Sequence, residues 1–461
     1  MIPKGNEQNK FCQEPGEDAS LVCMQPTVNF KIDGGKKLHG TVTVNSSKNG
    51  AVALLCASLI NRGKTTLKSV PKIEEVHRII EVLRSIGTIV EWHGTSVVIT
   101  PPAHFSLPSI DVDAAQRTRS IIMFTGSLIH TIPSFALPQA GGCRLGSRTV
   151  RPHVYALENF GVSITATRTA WEVTTKDLHP AEILMYESGD TATINAILAA
   201  AGIPGKSTIK YASANYQVQN LCTFLSQLGI KIDGIGTTTL VVHGKKHIKK
   251  DVVCSVTEDP TDAMFFIATA LVTHSSLTIK RCPIEFIELE LLVLEKMNAK
   301  YKILRRYTGE GHVKLADIQI LPSRLVAPPE KIHPLPYPGL NIDNLPFFAV
   351  IATQARGTTL IHDWVYEKRA LYFTELDKLG ATTLLADPHR ISITGPTSLR
   401  AADLICPPAL RPATILLIAM LGAKGTSMLR NIYSINRGYE GLIARLSSLG
   451  ARIEMLEERA F

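Results

Sequence analysis

Six copies of one pattern recur along most of the chain, and they constrain its fold more than any other feature. In each copy an amphipathic helix ends at a small turn residue; these residues are Gly87, Gly161, Gly229, Asn298, Gly380 and Gly450. They stand 68 to 82 residues apart. Glycine and asparagine tolerate the left-handed conformation that ends many helices. We therefore predict a left-handed residue at each of the six positions.

A second, more apolar helix pattern has nearly the same period. Its copies begin near Lys48, Arg119, Asp190, Asp262, Asp343 and Arg411, at intervals of 68 to 81 residues. Strand beginnings rich in Thr and Ser, such as residues 205–209 and 425–429, mark most copies again. Two helices and several strands in each copy predict one α/β unit repeated six times.

Six units of this length exceed what a single hydrophobic core usually holds, so they predict two domains of three units. A break is expected near residues 251–259, before a helix start at Glu258-Asp259-Pro260-Thr261. A functional site would then lie between the domains. Residues 1–27 lack apolar periodicity and are expected to form a loose N-terminal extension.

Composition narrows the class of protein. The hydrophobic content of 45% and charged content of 19% are typical of a globular protein. The longest apolar runs, residues 263–272 and 413–423, are too short to span a bilayer, so no membrane association is expected. The N-terminus lacks a secretory apolar core, and the eight cysteines show no paired or metal-ligand spacing. A cytoplasmic location is the simplest expectation.

The formal charge of +9 suits small anionic substrates. Nucleic acid is the competing interpretation, but the basic run at residues 245–250 has no interleaved aromatics and no recognisable reader motif. We expect this run to be the solvated edge of a hairpin, and we expect no nucleic-acid partner.

Residues 139–148 carry the clearest chemical signal, because they place Cys143 in a glycine-rich loop. Arg144 and Arg148 make its surroundings cationic. A thiol near guanidinium groups has a lowered pKa, and it becomes a candidate nucleophile or proton donor. The alternative is that Cys143, one of eight cysteines, is a small buried hydrophobe.

Cations stand at three of the six apolar helix starts, namely Lys48, Arg119 and Arg411. A cation there opposes the helix dipole at a cost of a few tenths of a kcal/mol, which a bound anion would offset. Each one alone could be a solvated side chain, but the three together predict a site for several anionic groups. Two later arginines, Arg369 and Arg437, offer paired donors that suit carboxylate and phosphate oxygens.

Asp343 is a carboxylate at another of the six helix starts, which is unexpected next to so many cationic residues. It could take a proton from a substrate hydroxyl, although aspartate is also a common helix cap.

Together these motifs resemble the enolpyruvyl transferases over about residues 28–456. The resemblance rests on Lys48-Asn49, Arg119, Gly141-Gly142-Cys143 with Arg148, Asp343, Arg369, Arg411 and Arg437. It implies an α/β fold, a two-domain inside-out α/β barrel built from six βαβαββ repeats, three in each domain. The N-terminal domain would be residues 47–254. The C-terminal domain would combine residues 28–46 with 255–461, because the first strand, about residues 28–44, crosses over.

The resemblance also implies roles for individual residues. Phosphoenolpyruvate would be held by Lys48, Arg119, Arg148, Arg369 and Arg437. Cys143 would act on the enolpyruvyl carbons as an acid and as a site of covalent adduct formation, and Asp343 would deprotonate the acceptor hydroxyl. Lys48 and Arg411 would complete the catalytic group. The acceptor would be contacted by Asn49, Arg119, Asp343, Arg151 and Glu187, and neither a cofactor nor a metal is implied. A monomer is expected.

The chain departs from the family pattern on the acceptor side. Arg151 stands where an acidic residue normally reads the uracil, and Glu187 stands where a basic residue contacts the nucleotide. The first interpretation is enolpyruvyl transfer to the 3-hydroxyl of UDP-N-acetylglucosamine with release of phosphate, the first committed step of peptidoglycan synthesis. The second is the same chemistry on another acceptor, such as a nucleotide in secondary metabolism. The third is a non-catalytic anion-binding paralogue, against which the retained Cys143, Asp343 and five basic residues argue.

Overall fold

The computed structural model describes residues 27–139 and 149–458. Within these ranges the chain forms 22 strands and 13 α-helices. The strands assemble into six small sheets, four of four strands and two of three strands. The fold is therefore mixed α/β, and the described part of the chain is divided among sheets rather than built on one large one.

The first elements are, in chain order, β1 (Thr27–Gly34), β2 (His39–Thr43), α1 (Lys48–Ala57), β3 (Thr65–Lys68), α2 (Glu74–Ser85), β4 (Ile89–His93), β5 (Ser96–Thr100), α3 (Val112–Gln116), α4 (Phe124–Leu128), β6 (Ser134–Pro138), α5 (Arg151–Glu158), β7 (Val162–Ala166), β8 (Ala170–Thr175), β9 (Glu182–Leu184), α6 (Asp190–Gly202), β10 (Gly205–Lys210), α7 (Tyr216–Gln227), β11 (Lys231–Asp233), β12 (Thr239–Gly244) and β13 (Val252–Ser255). Short 3-10 helices stand at Ser58–Ile60, Leu107–Ser109 and Arg119–Met123. We call the elements from α1 to β13 the N-terminal half.

The remaining elements are α8 (Pro260–Val272), β14 (Ser276–Pro283), α9 (Glu288–Lys296), β15 (Lys300–Thr308), β16 (Lys314–Leu321), α10 (Leu345–Ala352), β17 (Gly357–His362), β18 (Thr382–Asp387), β19 (Arg390–Gly395), β20 (Asp403–Ile405), α11 (Leu410–Gly422), β21 (Gly425–Arg430), α12 (Tyr433–Asn436), α13 (Leu442–Ser448) and β22 (Arg452–Glu458). Further 3-10 helices stand at Ile284–Phe286, Glu310–His312 and Ala370–Leu379. These elements, together with β1 and β2, are the C-terminal half.

The predicted repeat is visible in the backbone. In the third unit, β9 runs parallel to β10, and β12 and β11 extend the sheet in antiparallel fashion. All six predicted turn residues are left-handed, with φ between 62° and 97°. The prediction from the helix endings is therefore confirmed, including Asn298 as the single exception to glycine.

The apolar helices begin within a few residues of the predicted starts, but not all at them. Lys48 and Asp190 open α1 and α6, whereas α8 begins two residues before Asp262. Asp343 precedes α10, because Pro346 is the second residue of that helix and proline fits only in the first turn. Arg119 opens a five-residue 3-10 helix and not an α-helix.

The prediction of a single strand over about residues 28–44 is wrong. The segment forms β1 and β2, which lie in different sheets because the chain turns at Gly35, where φ is 70°. β1 pairs with β21 and β22, and β2 runs parallel to β14. Both strands therefore join the C-terminal half, the side to which they were expected to cross.

A second segment crosses in the opposite direction. β13, which directly precedes α8, runs parallel to β3 of the first unit. The basic run at residues 245–250 is therefore not a hairpin edge, as expected from its charge, but the link between the sheets of β12 and β13. The backbone amide of Arg62 donates to the Ile248 carbonyl, and the Asn61 side chain donates to the Lys250 carbonyl, which ties this link to the first unit.

Three units share one close packing between a strand and a helix. In each of these units a strand glycine lies against the last turn of the apolar helix. A Cβ atom on that glycine would come within 3.0 Å of a helix carbonyl oxygen. The pairs are Gly34 with Met420, Gly244 with Ala200, and Gly395 with Ala352. β1 thus occupies in the sixth unit the place of β12 in the third and β19 in the fifth. β1 therefore lies between β21 and β22 in the sheet of the sixth unit.

The buried apolar residues form two separate hydrophobic clusters. One contains buried residues from Ala51 to Val256, and the other combines those between Phe30 and Val44 with those between Ala263 and Ile453. Helices α8, α10 and α11 pack against one another in the second cluster. The domain bounds and the inside-out barrel stay predictions. Within the described ranges, no helix has both the length and the apolar character that a membrane span requires.

Candidate functional site

Glu75, in the first turn of α2, brings together two of the predicted anion-binding cations. Its Oε2 atom lies 3.2 Å from Nη2 of Arg437 and 3.9 Å from Nζ of Lys48. Its Oε1 atom accepts a hydrogen bond of 2.8 Å from the Thr118 hydroxyl. Lys48 belongs to the N-terminal half and Arg437 to the C-terminal half. The structure thus places these cations around one carboxylate at the junction of the halves.

The environment of Glu75 keeps it ionised. Burial by itself would raise the pKa of Glu75, but the charges of Lys48 and Arg437 and the bond from Thr118 outweigh it, so its pKa lies below the ordinary value. Sequence reasoning missed this residue. A glutamate in the first turn of a helix is already favoured by the dipole, so nothing in the local pattern separated Glu75 from Glu74.

Arg119 lies close to a buried histidine of the same half. Burial, and then the positive charge of Arg119, lower the pKa of His153 to about 4. The neutral ring lies 3.0 Å from Nδ2 of Asn195 and 3.3 Å from the Thr191 hydroxyl, so it ties α5 to α6. Arg119 therefore lies near the beginnings of these two helices.

Arg411 and Asp343 form a second polar group in the C-terminal half. The Arg411 guanidinium donates to the Tyr439 hydroxyl at 3.0 Å and to the Thr261 hydroxyl at 2.8 Å. Its Nη2 atom is 3.5 Å from Oδ2 of Asp343. The Asp343 side chain is 25% exposed, against 9% for Arg411. A buried charge thus supports a carboxylate that a ligand can reach.

Two residues of the N-terminal half lie near Asp343. Burial raises the pKa of the Tyr216 hydroxyl well above its ordinary value, and the charges of Asp259, Asp343 and Asp190 raise it further. Asn49, predicted on the acceptor side, donates to this hydroxyl at 3.2 Å. The structure therefore places Asn49, Tyr216 and Asp343 in one neighbourhood.

Asp190 is a second carboxylate of this neighbourhood that sequence reasoning gave no role. Ser213 donates to its Oδ1 at 2.5 Å, and Asn215 and Gln217 donate to its Oδ2. Burial raises the pKa of Asp190 to about 6, with a further contribution from the charge of Asp343. These bonds join the start of α6 to the loop before α7 and to the first turn of α7.

Arg369 forms a buried ion pair with Asp363 in the C-terminal half. Its side chain is 1% exposed, and its Nε atom donates to Oδ2 of Asp363 at 2.5 Å. The guanidinium stacks on the Tyr366 ring at 4.3 Å. Within the described part of the chain, Nη2 of Arg369 and Oδ1 of Asp363 have no hydrogen-bond partner. The charge of Arg369 is thus balanced inside the C-terminal half.

Arg151 and Glu187 lie on exposed segments that contact each other. Arg151 opens α5, and Glu187 stands in the connection between β9 and α6. Tyr155, one helical turn after Arg151, meets Tyr186 edge to face, with ring centroids 5.5 Å apart. This tyrosine pair was not found from sequence, because an aromatic residue at one surface position gives no periodic signal.

The predicted thiol loop lies outside the described residues, and with it Cys143, Arg144 and Arg148. Five other cysteines are described and all are buried; they are Cys56, Cys222, Cys254, Cys282 and Cys406. Burial raises the pKa of all five, to about 12 for Cys222, Cys254 and Cys406 and still higher for Cys56 and Cys282. Such thiols are poor nucleophiles at neutral pH.

A cavity of about 290 Å³ lies where the crossing segments join the halves. Its charged lining is Glu258, Arg281, Glu310 and Glu440. Glu258 and Arg281 form an ion pair, which leaves the remaining lining acidic and unsuited to an anionic ligand. Among residues 27–139 and 149–458, no group of three or more His, Cys, Asp or Glu side chains is arranged to hold a metal ion.

Comparison with known families and sequences gives a consistent result. Residues 32–446 match the family described as EPSP synthase (3-phosphoshikimate 1-carboxyvinyltransferase). A UDP-N-acetylglucosamine 1-carboxyvinyltransferase of Bradyrhizobium diazoefficiens is 31% identical over 433 residues, covering 94% of this chain and 99% of the relative. One of Treponema denticola is also 31% identical, over 93% of this chain and 99% of the relative.

Solved structures show the same fold. The enolpyruvyl transferase NikO from Streptomyces tendae superposes with a TM-score of 0.82 at 22% identity, over 94% of this chain and all of that one. An EPSP synthase from Acinetobacter baumannii superposes with a TM-score of 0.71 at 18% identity, over 93% of this chain and all of that one.

We expect the five buried cysteines to resist alkylation in the folded protein. Because the thiolate is the reactive form, they should react at least about 100-fold more slowly with iodoacetamide than in the urea-unfolded chain. Peptide mass mapping after brief labelling checks this. Cys12 and Cys23, in the expected N-terminal extension, should also label early, so a Cys143→Ala variant should lose only the early label of the peptide that contains residue 143. Early labelling of any of the five in the folded protein would contradict the burial argument.

We expect Glu75→Gln to lower the free energy of unfolding by about 1–3 kcal/mol at pH 7, because Lys48 and Arg437 lose their counter-ion. The folded-state pKa of Glu75 is lowered, so its stabilisation exists above the unfolded-state pKa and disappears as the pH falls through the folded-state pKa. Urea unfolding in a pH series measures this difference. Glu74→Gln is the matched control, since Glu74 makes a surface pair with Arg78 and should change stability by less than about 0.5 kcal/mol. A difference that persists in acid would rule out the ionic origin.

Proposed function

Because the chain belongs to the EPSP synthase family of enolpyruvyl transferases, we propose that it transfers the enolpyruvyl group of phosphoenolpyruvate to the 3-hydroxyl of UDP-N-acetylglucosamine. Phosphate would be the second product. The observation that carries this proposal is the meeting of Lys48 and Arg437, from opposite halves, at Glu75. Two relatives that align with nearly the whole chain are named UDP-N-acetylglucosamine 1-carboxyvinyltransferase, and this supports the choice of acceptor.

Phosphoenolpyruvate would enter as a multiply charged anion and take over the cations that Glu75 holds. Lys48, Arg119 and Arg437 would contact its phosphate and carboxylate, together with Arg148 and Arg369. Charge-assisted bonds from guanidinium and ammonium groups are about twice as strong as neutral ones. Before phosphoenolpyruvate binds, Glu75 would serve as the counter-ion of Lys48 and Arg437.

The reaction would proceed by addition and elimination. Asp343 takes the proton of the acceptor hydroxyl while the oxygen attacks C2 of the enolpyruvyl group, and Cys143 supplies a proton to C3. The tetrahedral ketal then loses a proton from C3 and expels phosphate, which leaves the enol ether. Arg411, 3.5 Å from Asp343, would hold that carboxylate in position before it accepts the proton.

The same proposal covers the architecture. Residues 47–254 and residues 28–46 with 255–461 would form the domains of an inside-out α/β barrel, with the substrates between them. The two hydrophobic clusters and the crossing strands support these bounds. The product would enter peptidoglycan synthesis in the cytoplasm.

A second candidate function is enolpyruvyl transfer to a different nucleotide acceptor. Arg151 and Glu187 carry charges opposite to those usual at their positions, and both side chains are exposed. Arginine offers only donors and ionised glutamate only acceptors, so the hydrogen-bonding roles are reversed. This observation concerns the acceptor and leaves the phosphoenolpyruvate side unchanged.

Phosphate release from phosphoenolpyruvate in the presence of a panel of acceptors tests the proposed reaction. We expect release with UDP-N-acetylglucosamine or with another nucleotide hydroxyl. Asp343→Asn should lower the turnover about 100- to 10,000-fold, because it removes a general base. Asp403→Asn, at an exposed pair with Arg430, is the control and should leave turnover unchanged. Absence of release with every acceptor would favour a non-catalytic anion-binding protein.

The acceptor assignment has its own test. We expect Arg151→Asp combined with Glu187→Lys to lower the Michaelis constant for UDP-N-acetylglucosamine about ten- to a hundredfold, because each charged contact contributes up to a few kcal/mol. Turnover should change little. Steady-state kinetics of both proteins measure the effect. An unchanged constant, or tight binding already in the parent protein, would mean that other residues read the nucleotide.

A further inference from the structure

Glu290 is a buried carboxylate in the core of the C-terminal half, and no part of the proposed reaction uses it. It is the third residue of α9 and is 1% exposed. Its Oε1 atom accepts two hydrogen bonds from the turn that precedes α10. The donors are the backbone amide of Asn341, at 3.0 Å, and Nδ2 of Asn344, at 2.8 Å. These two donors flank Asp343 in the chain.

The turn at residues 341–344 is closed by its own hydrogen bonds. The amides of Asn344 and Leu345 donate to the Asn341 carbonyl, at 2.9 and 3.2 Å. The Asp343 amide donates to Oδ1 of Asn341 at 2.9 Å. Asn341 therefore binds Glu290 through its backbone and Asp343 through its side chain. A short chain of bonds connects the buried helix to the residue proposed as general base.

Packing alone does not account for a carboxylate at this position. The other buried residues of α9 are Leu291 and Leu294, and a leucine would fill the space of Glu290 without desolvating a charge. Within the described ranges no Lys, Arg or His side chain pairs with Glu290, and burial raises its pKa to about 7. The contacts that favour a carboxylate here are its bonds to Asn341 and Asn344.

We propose that Glu290 is a positioning residue, which holds the turn at residues 341–344 on α9 and so directs the Asp343 carboxylate towards the acceptor hydroxyl. The effect on turnover rests on the proposed function of Asp343. The anchoring of the turn does not, because it follows from the hydrogen bonds alone. Misplacing a catalytic group by about 1 Å can cost a hundredfold in rate, so a clamp of this kind matters to the reaction.

Three variants separate positioning from general stability. Glu290→Gln retains a carbonyl oxygen that can accept both bonds, whereas Glu290→Leu removes the acceptor and keeps the volume apolar. Leu294→Ala is the matched control, because it creates a cavity on the same helix and removes none of the hydrogen bonds between Glu290 and the turn. Thermal melting verifies that each variant is folded and ranks their stabilities.

Amide hydrogen exchange tests the anchoring of the turn without any substrate. We expect the amides of Asn341 and Asp343 to exchange at least tenfold faster in Glu290→Leu than in the parent protein. They should stay within about threefold in Glu290→Gln and in Leu294→Ala. Equal exchange in Glu290→Leu and the parent protein would overturn the proposal, whatever the enzyme's activity.

Kinetics with phosphoenolpyruvate and the active acceptor test the consequence. Glu290→Leu should lower kcat at least 30-fold and leave the KM for phosphoenolpyruvate within about threefold, whereas Glu290→Gln should restore kcat to within about threefold of the parent. Leu294→Ala should keep the kcat of the parent protein even if its Tm falls as far as that of Glu290→Leu. A loss of kcat shared by Leu294→Ala, or a failure of Glu290→Gln to rescue, would reduce Glu290 to a structural role. If the parent protein itself releases no phosphate, the proposed function fails, and hydrogen exchange alone decides the anchoring.

Discussion

The pairing of the two segments that cross between the halves is the constraint on which the site depends. The amide of Ser47 donates to the Thr257 carbonyl at 2.7 Å, and the amide of Asp259 donates to the Asn45 carbonyl at 2.9 Å. These bonds hold the starts of α1 and α8 side by side. Lys48 is the first residue of α1, and Thr261, near the start of α8, accepts a bond from Arg411. Two sets of polar groups from distant parts of the chain therefore meet at one junction.

The strands that cross between the halves stabilise this junction. β2 completes a sheet of the C-terminal half and β13 completes one of the N-terminal half, so neither crossing segment can leave without exposing a sheet edge. The ion pair of Arg445 with Asp262 adds to this connection, since Asp262 also accepts from the Asn45 amide. These contacts position charges of one half against charges of the other.

The cations of the site need a counter-ion even without a substrate. Lys48 and Arg437 repel each other, and their side chains are only partly exposed, so solvent screens them incompletely. Glu75 supplies the missing negative charge from α2. In the proposed reaction, phosphoenolpyruvate would have to compete with this carboxylate, so part of its attraction to the cations would be offset. The same contacts with Glu75 keep Lys48 and Arg437 in place.

Much of the fold could be predicted from the sequence, because its signals are local. A left-handed helix ending needs only the residue at the turn, and all six predicted endings occur, including Asn298. The apolar helices and most cationic starts follow from periodicity within one or two turns. The sequence by itself thus determined the repeated unit, the family and the set of charged residues. Contacts between residues far apart in the chain could not be predicted from it. Glu75 and Arg437 are 362 residues apart, and Glu290 and Asn344 are 54 apart. Only the tertiary structure decided that β1 and β2 join different sheets, that Arg369 is buried against Asp363, and that Asn341 and Asn344 bond to Glu290 of α9. The physical reason is that a charge is neutralised by whichever group packing brings within a few ångströms, and packing depends on all the elements at once.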